Sequence, residues 1–222
     1  MDVLSAIKDR QSVRAFLDKP LDQRSVIALL DTARFAPSGV NTQPWQVVVV
    51  TKEYIKKIGD AIVSARDNGI PPNPDYAYYP NKWFEPYKTR RKACGLALYS
   101  ALNIELQQTE QRKSQWYRNY YFFEAPIGLL FFLDNHLEKG SWVDMGLFIQ
   151  NVMLAAQGQG LATCPQASLA EYPDIVRNSV GITQEKALIC GMALGYADMA
   201  HPVNQYRTTR EPVESFTKFL GF

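Results

Sequence analysis

The sequence is poor in side chains that do chemistry unaided. Its 222 residues include two histidines, His136 and His201, and three cysteines, Cys94, Cys164 and Cys190. Two histidines argue against a multi-histidine metal site and leave a histidine-based triad resting on a single candidate. The cysteines lie far apart and form no C-x-x-C. Neither a disulfide framework nor a zinc pattern is expected, and a reducing cytoplasm is the natural setting. The longest strongly apolar stretch, "APIGLLFFL" at 125–133, is too short to span a bilayer. Asp2, Lys8, Asp9 and Arg10 break up the apolar run that a signal peptide needs. There is no Walker motif and no G-x-S-x-G. The net charge is only +2, so nothing calls for nucleic acid or an anionic membrane as partner.

What is present suits a globular chain. Hydrophobic residues make up 46% and charged residues 21%. The length fits one domain over 1–222, with a loop-and-helix excursion at about 69–120 and a polar tail at about 199–222. Apolar spacing predicts helices behind Asp2 (Val3, Leu4, Ile7) and over 22–36, 52–68, 88–106, about 107–119, 142–156 and 172–180. It predicts strands over 45–51, where "WQVVVVT" reads as buried, and over 127–133 and 186–196. The 142–156 helix is apolar nearly all round, which places it centrally or at a subunit interface. Asp144, near its start, is expected either to cap it or to reach a ligand. "GQGLAT" at 158–163 begins like a dinucleotide fingerprint but follows a helix, so its glycines read as a helix end, with a loop beyond. The glycines in "KALICGMALGY" suggest close backbone approach. Residues 199–222 read as extended, then weakly helical. Helices and strands alternate irregularly, which favours α+β or a mixed three-layer sheet.

Segment 69–87 holds five prolines and six aromatics. It cannot be a helix interior, and its length and aromatic content predict a folded flap near a site. Arg10 and Arg14 stand four residues apart in "RQSVRAF", with Gln11 and Ser12 between them. A guanidinium binds phosphate through a fork of charge-assisted hydrogen bonds, and Ser and Gln add neutral partners. Taken alone, the same pattern also fits a solvated face at a helix end. "APSGVNTQPWQ" at 36–46 carries Ser38, Asn41, Thr42 and Gln43, able to bond ring amides or sugar hydroxyls, or simply to make a capped connector. "YRTTREP" at 206–212 adds Arg207 and Arg210.

"RQSVRAF", "APSGVNTQPWQ", "GLATCPQA" and "YRTTREP", in this order and spacing, resemble the FMN-dependent nitroreductases. The resemblance covers about residues 3 to 219. The aromatic segment and "NKWFEPYKTRRKACGLALY" at 81–99 look most like the subgroup that includes nitrobenzoate reductases. It implies an α+β three-layer fold with a central mixed, mainly antiparallel sheet flanked by helices, in an intertwined homodimer with wrapping tails. It implies FMN as cofactor and NAD(P)H as electron donor, with ping-pong hydride transfer through flavin N5 to nitroaromatics or quinones. Carried over by motif, Arg10, Arg210 and Arg207 would hold the FMN phosphate, and Gln11 and Ser12 would line the ribityl-phosphate. Arg14 would lie near the pyrimidine edge and stabilise the reduced ring. Pro37, Ser38, Gly39 and Asn41 would reach the flavin from the partner subunit. Pro165, Gln166 and Ala167 would pass beside the ring with backbone N–H groups. The chain departs from the family at Ala167 and Ser168, where a Glu-Gly pair is often found, and at Thr208, often lysine. Candidate walls for an aromatic acceptor are Tyr76, Tyr78, Tyr79, Trp83, Phe84, Tyr121, Phe122 and Phe123, although each one singly fits a core more commonly than a pocket. Cys164 reads as inert packing. No metal is expected. Rival readings are a flavoenzyme of the same fold with other chemistry (reductive dehalogenation or an oxidative step), a non-catalytic flavin-binding protein, and a plain interaction domain.

Overall fold

Two strands without a charged residue in their middles set the centre of the molecule. The computed structural model describes residues 1–222. In chain order the helices and strands are α1 (Val3–Asp9), α2 (Gln23–Ala33), β1 (Gln46–Thr51), α3 (Lys52–Asp67), α4 (Tyr87–Ala101), α5 (Thr109–Tyr117), β2 (Ile127–Asp134), α6 (Lys139–Gly158), β3 (Ala162–Gln166), α7 (Pro173–Val180) and β4 (Lys186–Gly195). The sheet order is β1-β2-β4-β3, and every neighbouring pair is antiparallel. The mixed character expected of the sheet reduces to one parallel bridge, Ser12 to Thr163. β2 and β4 lie in the middle and are buried on both faces, as their continuous apolar runs require.

Successive residues of β2 serve opposite faces. Leu129, Phe131 and Leu133 pack with α2 and α6, including Leu29, Met145, Phe148 and Val152. Leu130 and Phe132 pack on the other face with Ile55, Ile58 and Ile62 of α3 and Val176 of α7. The result is three layers, helix on sheet on helix. Helix starts follow the sequence: the Asp2 side chain accepts the Leu4 and Ser5 N–H groups, and Asp22 accepts that of Ser25. Gly160, in the left-handed region at φ +70°, closes α6 as read.

Several expectations need correction. β1 is an edge strand and not a buried one: of its residues only Val50 is buried. β3 falls in a stretch read as a loop. Pro165 hid it, but a proline is tolerated on an edge strand, and β3 is the other edge. The helix expected over 88–106 stops at Ala101, and Asn103 turns left-handed at φ +54°. The tail has two single 3₁₀ turns, Pro202–Asn204 and Val213–Ser215, and no α-helix. Phe122 and Phe123 are core residues, not pocket walls: both are essentially inaccessible. Phe122, Phe123 and Glu124 all have φ between 52° and 58°, a left-handed turn that sends both rings inward. Phe122 covers Gly128 and Gly191, and Tyr121 lies against Gly59 with its hydroxyl donating to Asp60 at 3.0 Å. The glycines of β4 mark close approach as expected: a Cβ on Gly191 would meet the Leu169 side chain. No helix is long and apolar enough to cross a membrane.

Candidate functional site

Extended backbone decides where Arg14 points. The Val13 N–H donates to the Thr163 carbonyl at 3.0 Å and the Leu17 N–H to that of Tyr196 at 2.9 Å. Alternate side chains therefore take opposite sides. Val13 and Ala15 are buried, while Ser12 and Arg14 face a cleft of about 680 Å³. Ile7, Lys8, Arg10, Gln11, Cys94, Tyr206, Arg207, Thr208 and Arg210 complete its lining. The two ends of the chain thus meet at one place.

Asn204 joins them. It is 2% exposed, and both of its amide donors and its amide oxygen are engaged. Its Nδ2 donates to the Ala15 and Asp198 carbonyls at 2.8 Å each, and its Oδ1 accepts the Arg14 N–H at 2.8 Å. Its carbonyl accepts from Gln11 Nε2 at 2.9 Å. The Arg14 guanidinium then donates to the Tyr206 hydroxyl at 3.1 Å and the Ser12 carbonyl at 3.3 Å. Arg207 donates to the Asp9 carbonyl at 2.7 Å and to that of Arg10 at 3.4 Å, a cation closing the C-terminal end of α1. Arg210 folds back on Thr208, Nη1 to Oγ1 at 2.8 Å.

Five cations line the cleft and no carboxylate does. Burial and then the neighbouring Arg210 and Arg207 push the Arg10 pKa down from arginine's ordinary value. An arginine stays protonated regardless, so a buried charge stands here beside two like charges. Such crowding is relieved by an anion, and a forked guanidinium cluster suits a phosphate dianion. Beneath the cleft Cys164 is buried, and burial raises its thiol pKa against the pull of Arg14 and Arg10. It packs as a neutral thiol, in line with the inert role expected of it.

The other expected residues lie elsewhere. Pro37, Ser38, Gly39 and Asn41 stand on an exposed linker outside this cleft. Val40, Asn41 and Gln43 there have φ of 45°, 60° and 48°, and Val40 is 97% exposed. A β-branched residue at positive φ is strained, and strain of this kind gathers at contact and ligand sites. Asp144 neither caps α6 nor is free: it accepts the Gly39 N–H at 3.2 and 3.3 Å and ties the linker to α6. Pro165 and Gln166 end β3 and Ala167 opens the 3₁₀ turn after it, all outside the cleft lining, and the Gln166 side chain turns inward to donate to the Asn119 carbonyl at 2.6 Å. The aromatic segment is folded down as expected, but none of its residues is part of the cleft lining. Asp75 pairs with the buried Arg177 at 2.7 and 3.0 Å, Tyr76 packs edge-on against Trp142, and the Tyr76 hydroxyl donates to the Ile189 carbonyl. Lys8, Cys94, Asn204 and Tyr206 were not foreseen. Asn204 and Tyr206 meet partners about 190 positions away, and no local pattern announces any of the four.

Comparison with known proteins agrees with this geometry. The Nitroreductase family model matches residues 7–196. The chain is 37% identical to a 4-nitrobenzoate reductase of Pseudomonas putida, over 100% of this chain and 96% of that protein. It superposes with a TM-score of 0.97 and 35% identity on the FMN and NADPH-dependent nitroreductase NfnB of Sphigopyxis sp. strain HMH, each chain covered in full. The FMN-dependent nitroreductase NfnB of Mycobacterium smegmatis, solved in complex with NADPH, gives a TM-score of 0.92 at 33% identity, covering 98% of this chain and 97% of the other. The chain belongs to the Nitroreductase family.

Proposed function

We propose that the protein is an FMN-dependent oxidoreductase that draws on NAD(P)H to reduce nitroaromatics or quinones. The observation that carries this reading is the meeting of Arg10, Arg14, Arg207 and Arg210, from opposite ends of the chain, in one acid-free cleft. Bound FMN would supply the redox chemistry, a hydride relay from NAD(P)H to the acceptor in ping-pong order. The chain's task is to bind and orient. Arg10 and Arg210 hold the phosphate, with Arg207 fixing the end of α1 beside them. Gln11 and Ser12 give neutral hydrogen bonds along the ribityl chain. Arg14, held by Asn204 and Tyr206, supplies fixed positive charge for the electron-rich ring. Pro165, Gln166 and Ala167 contribute backbone contacts. This division of labour needs no histidine and no nucleophile.

The working unit is a homodimer. Val3, Leu4 and Ile7 of α1, Val143 and Leu147 of α6, and Phe216, Phe219 and Phe222 of the tail are all exposed. α4 has no buried residue at all. A second copy covers these faces, and the linker carrying Pro37, Ser38, Gly39 and Asn41 reaches the cofactor of the other subunit. Relatives that reduce nitroarenes favour this reading over dehalogenation or a flavin store. Its three cysteines are all free, which suits the cytoplasm.

The visible spectrum of the purified protein tests the proposal. A yellow protein is expected, bleached anaerobically by NADPH or NADH and recoloured by 4-nitrobenzoate or a quinone. A colourless protein that takes up no FMN contradicts the reading. A yellow one that NAD(P)H cannot bleach leaves only a flavin-binding protein.

A further inference from the structure

Beside the cleft stands a second group of cations with a different character. Residues 82–92 contain Lys82, Lys88, Arg90, Arg91 and Lys92 against a single acid, Glu85. Two arginines of this region are already committed. Arg90 pairs with Glu211 at 3.1 Å, and Arg112 lies 3.7 Å from the Tyr99 ring centroid. Arg91 has neither a carboxylate nor a carbonyl partner. Its guanidinium stands 5.4 Å from the Trp83 ring centroid, Trp83 lies 5.4 Å from Tyr79, and Tyr79 lies 4.7 Å from Tyr78. Arg91 precedes Cys94 by three residues on α4, so the two share a face, and Cys94 lines the cleft. The Tyr79 hydroxyl feels both: Arg91 lowers its pKa and Cys94 raises it, against a dominant upward push from burial.

Resting on the nitroreductase reading, we propose that Arg91, backed by Trp83 and Tyr79 at the lip of the cleft, takes the carboxylate of an aromatic nitro acid. It is thus a specificity-determining residue that favours acidic over neutral nitroarenes. The chemistry follows from the parts. A guanidinium offers a carboxylate two parallel N–H groups, and flanking rings offer a flat aromatic body a surface to stack on. A benzoate ring matches both at once. The five cations of the cleft reinforce the choice. A phosphate dianion and one electron-rich ring answer three of those charges, so the pocket keeps a positive surplus that draws anionic acceptors.

The test compares the FMN-loaded wild type with Arg91→Ala and Arg91→Lys. Steady-state rates are measured with 4-nitrobenzoate and with neutral nitrobenzene, and binding of benzoate, an unreactive analogue, is measured by calorimetry. Arg91→Ala is expected to raise the KM for 4-nitrobenzoate about tenfold or more, the loss typical of one charge-assisted pair. Its kcat, its kinetics with nitrobenzene and the bleaching by NADPH are expected to stay within about twofold, benzoate affinity to fall in parallel, and Arg91→Lys to restore it in part. Equal effects on the acidic and neutral substrates overturn the proposal. So does a change in NADPH-over-NADH preference with no change toward the acid, since Arg91 would then read the nucleotide. Absence of benzoate binding to the wild type overturns it too. A wild type that binds benzoate through Arg91 but reduces no nitroarene leaves the carboxylate subsite standing and removes the nitroreductase reading instead.

Discussion

Arg14 and Asn204 show how one residue sets another. Asn204 is buried, and removing its amide strands the Arg14 N–H and two carbonyls together. Each stranded buried group costs about 1–3 kcal/mol, with partial relief by relaxation. Asn204→Ala is therefore expected to destabilise the fold by about 3 kcal/mol and to weaken FMN binding as well, although Asn204 itself does not line the cleft. Thermal unfolding and FMN titration of the same preparation check both parts; a normal FMN affinity would show that Arg14 keeps its place unaided. Arg14→Ala is expected to leave the fold intact, lower the flavin's two-electron potential and slow its reduction by NAD(P)H, since fixed positive charge favours the electron-rich ring. For a two-electron couple about 30 mV corresponds to 1.4 kcal/mol, so loss of one partly buried charge is expected to move the potential by tens of millivolts. Spectroelectrochemical titration measures it, and an unchanged potential removes Arg14 from that role.

At the scale of elements, a largely buried ion pair is one anchor of the aromatic segment. Arg177 is 3% exposed, and its guanidinium bonds Asp75, Asp174 and the Lys186 carbonyl. Asp75 also accepts the Leu188 N–H at 3.0 Å, so one carboxylate ties the segment to α7 and β4. Breaking a buried pair by deleting one partner costs about 3–5 kcal/mol, and Asp174 remains to soften the loss. Asp75→Ala is expected to lower Tm by roughly 6–12 °C and to speed hydrogen exchange over residues 70–86, with FMN affinity unchanged. An unchanged exchange pattern would mean that the aromatic packing of Tyr76 on Trp142 suffices. The central strands and the main helices were legible because burial writes its period into the sequence, and the Asp2 cap because it stands just before the first apolar turn. β3 was not, because a five-residue edge strand with a proline lacks both length and pattern. Phe122 and Phe123 stayed open between pocket and core for a related reason. A run of aromatics looks alike in a pocket and a core, and only the register that sets Phe122 over Gly128 and Gly191 tells them apart. The arginines could be read as a candidate phosphate site only through the joint presence of four motifs. Asn204 and Tyr206, which hold Arg14, were silent because their contacts exist only once the two ends meet.

At the scale of the whole molecule, two features require each other. The cleft gathers charge from both termini, and the faces around it leave apolar side chains exposed on α1, α6 and the tail. A symmetric dimer answers the second feature. Sedimentation equilibrium is expected to give about 50 kDa, twice the 25.2 kDa chain; a monomer at micromolar concentration contradicts the dimer. Cofactor retention turns most of all on the phosphate, and a comparison of two flavins isolates it. FMN and riboflavin differ only in that group, so their dissociation constants are compared for the wild type and for Arg10→Ala/Arg210→Ala. The wild type is expected to bind FMN about a hundredfold or more tighter than riboflavin. In the double variant that ratio is expected to fall close to one, while riboflavin affinity stays nearly constant. Equal affinities in the wild type, or a ratio that survives loss of both arginines, would contradict the claim that these guanidiniums hold the cofactor's phosphate.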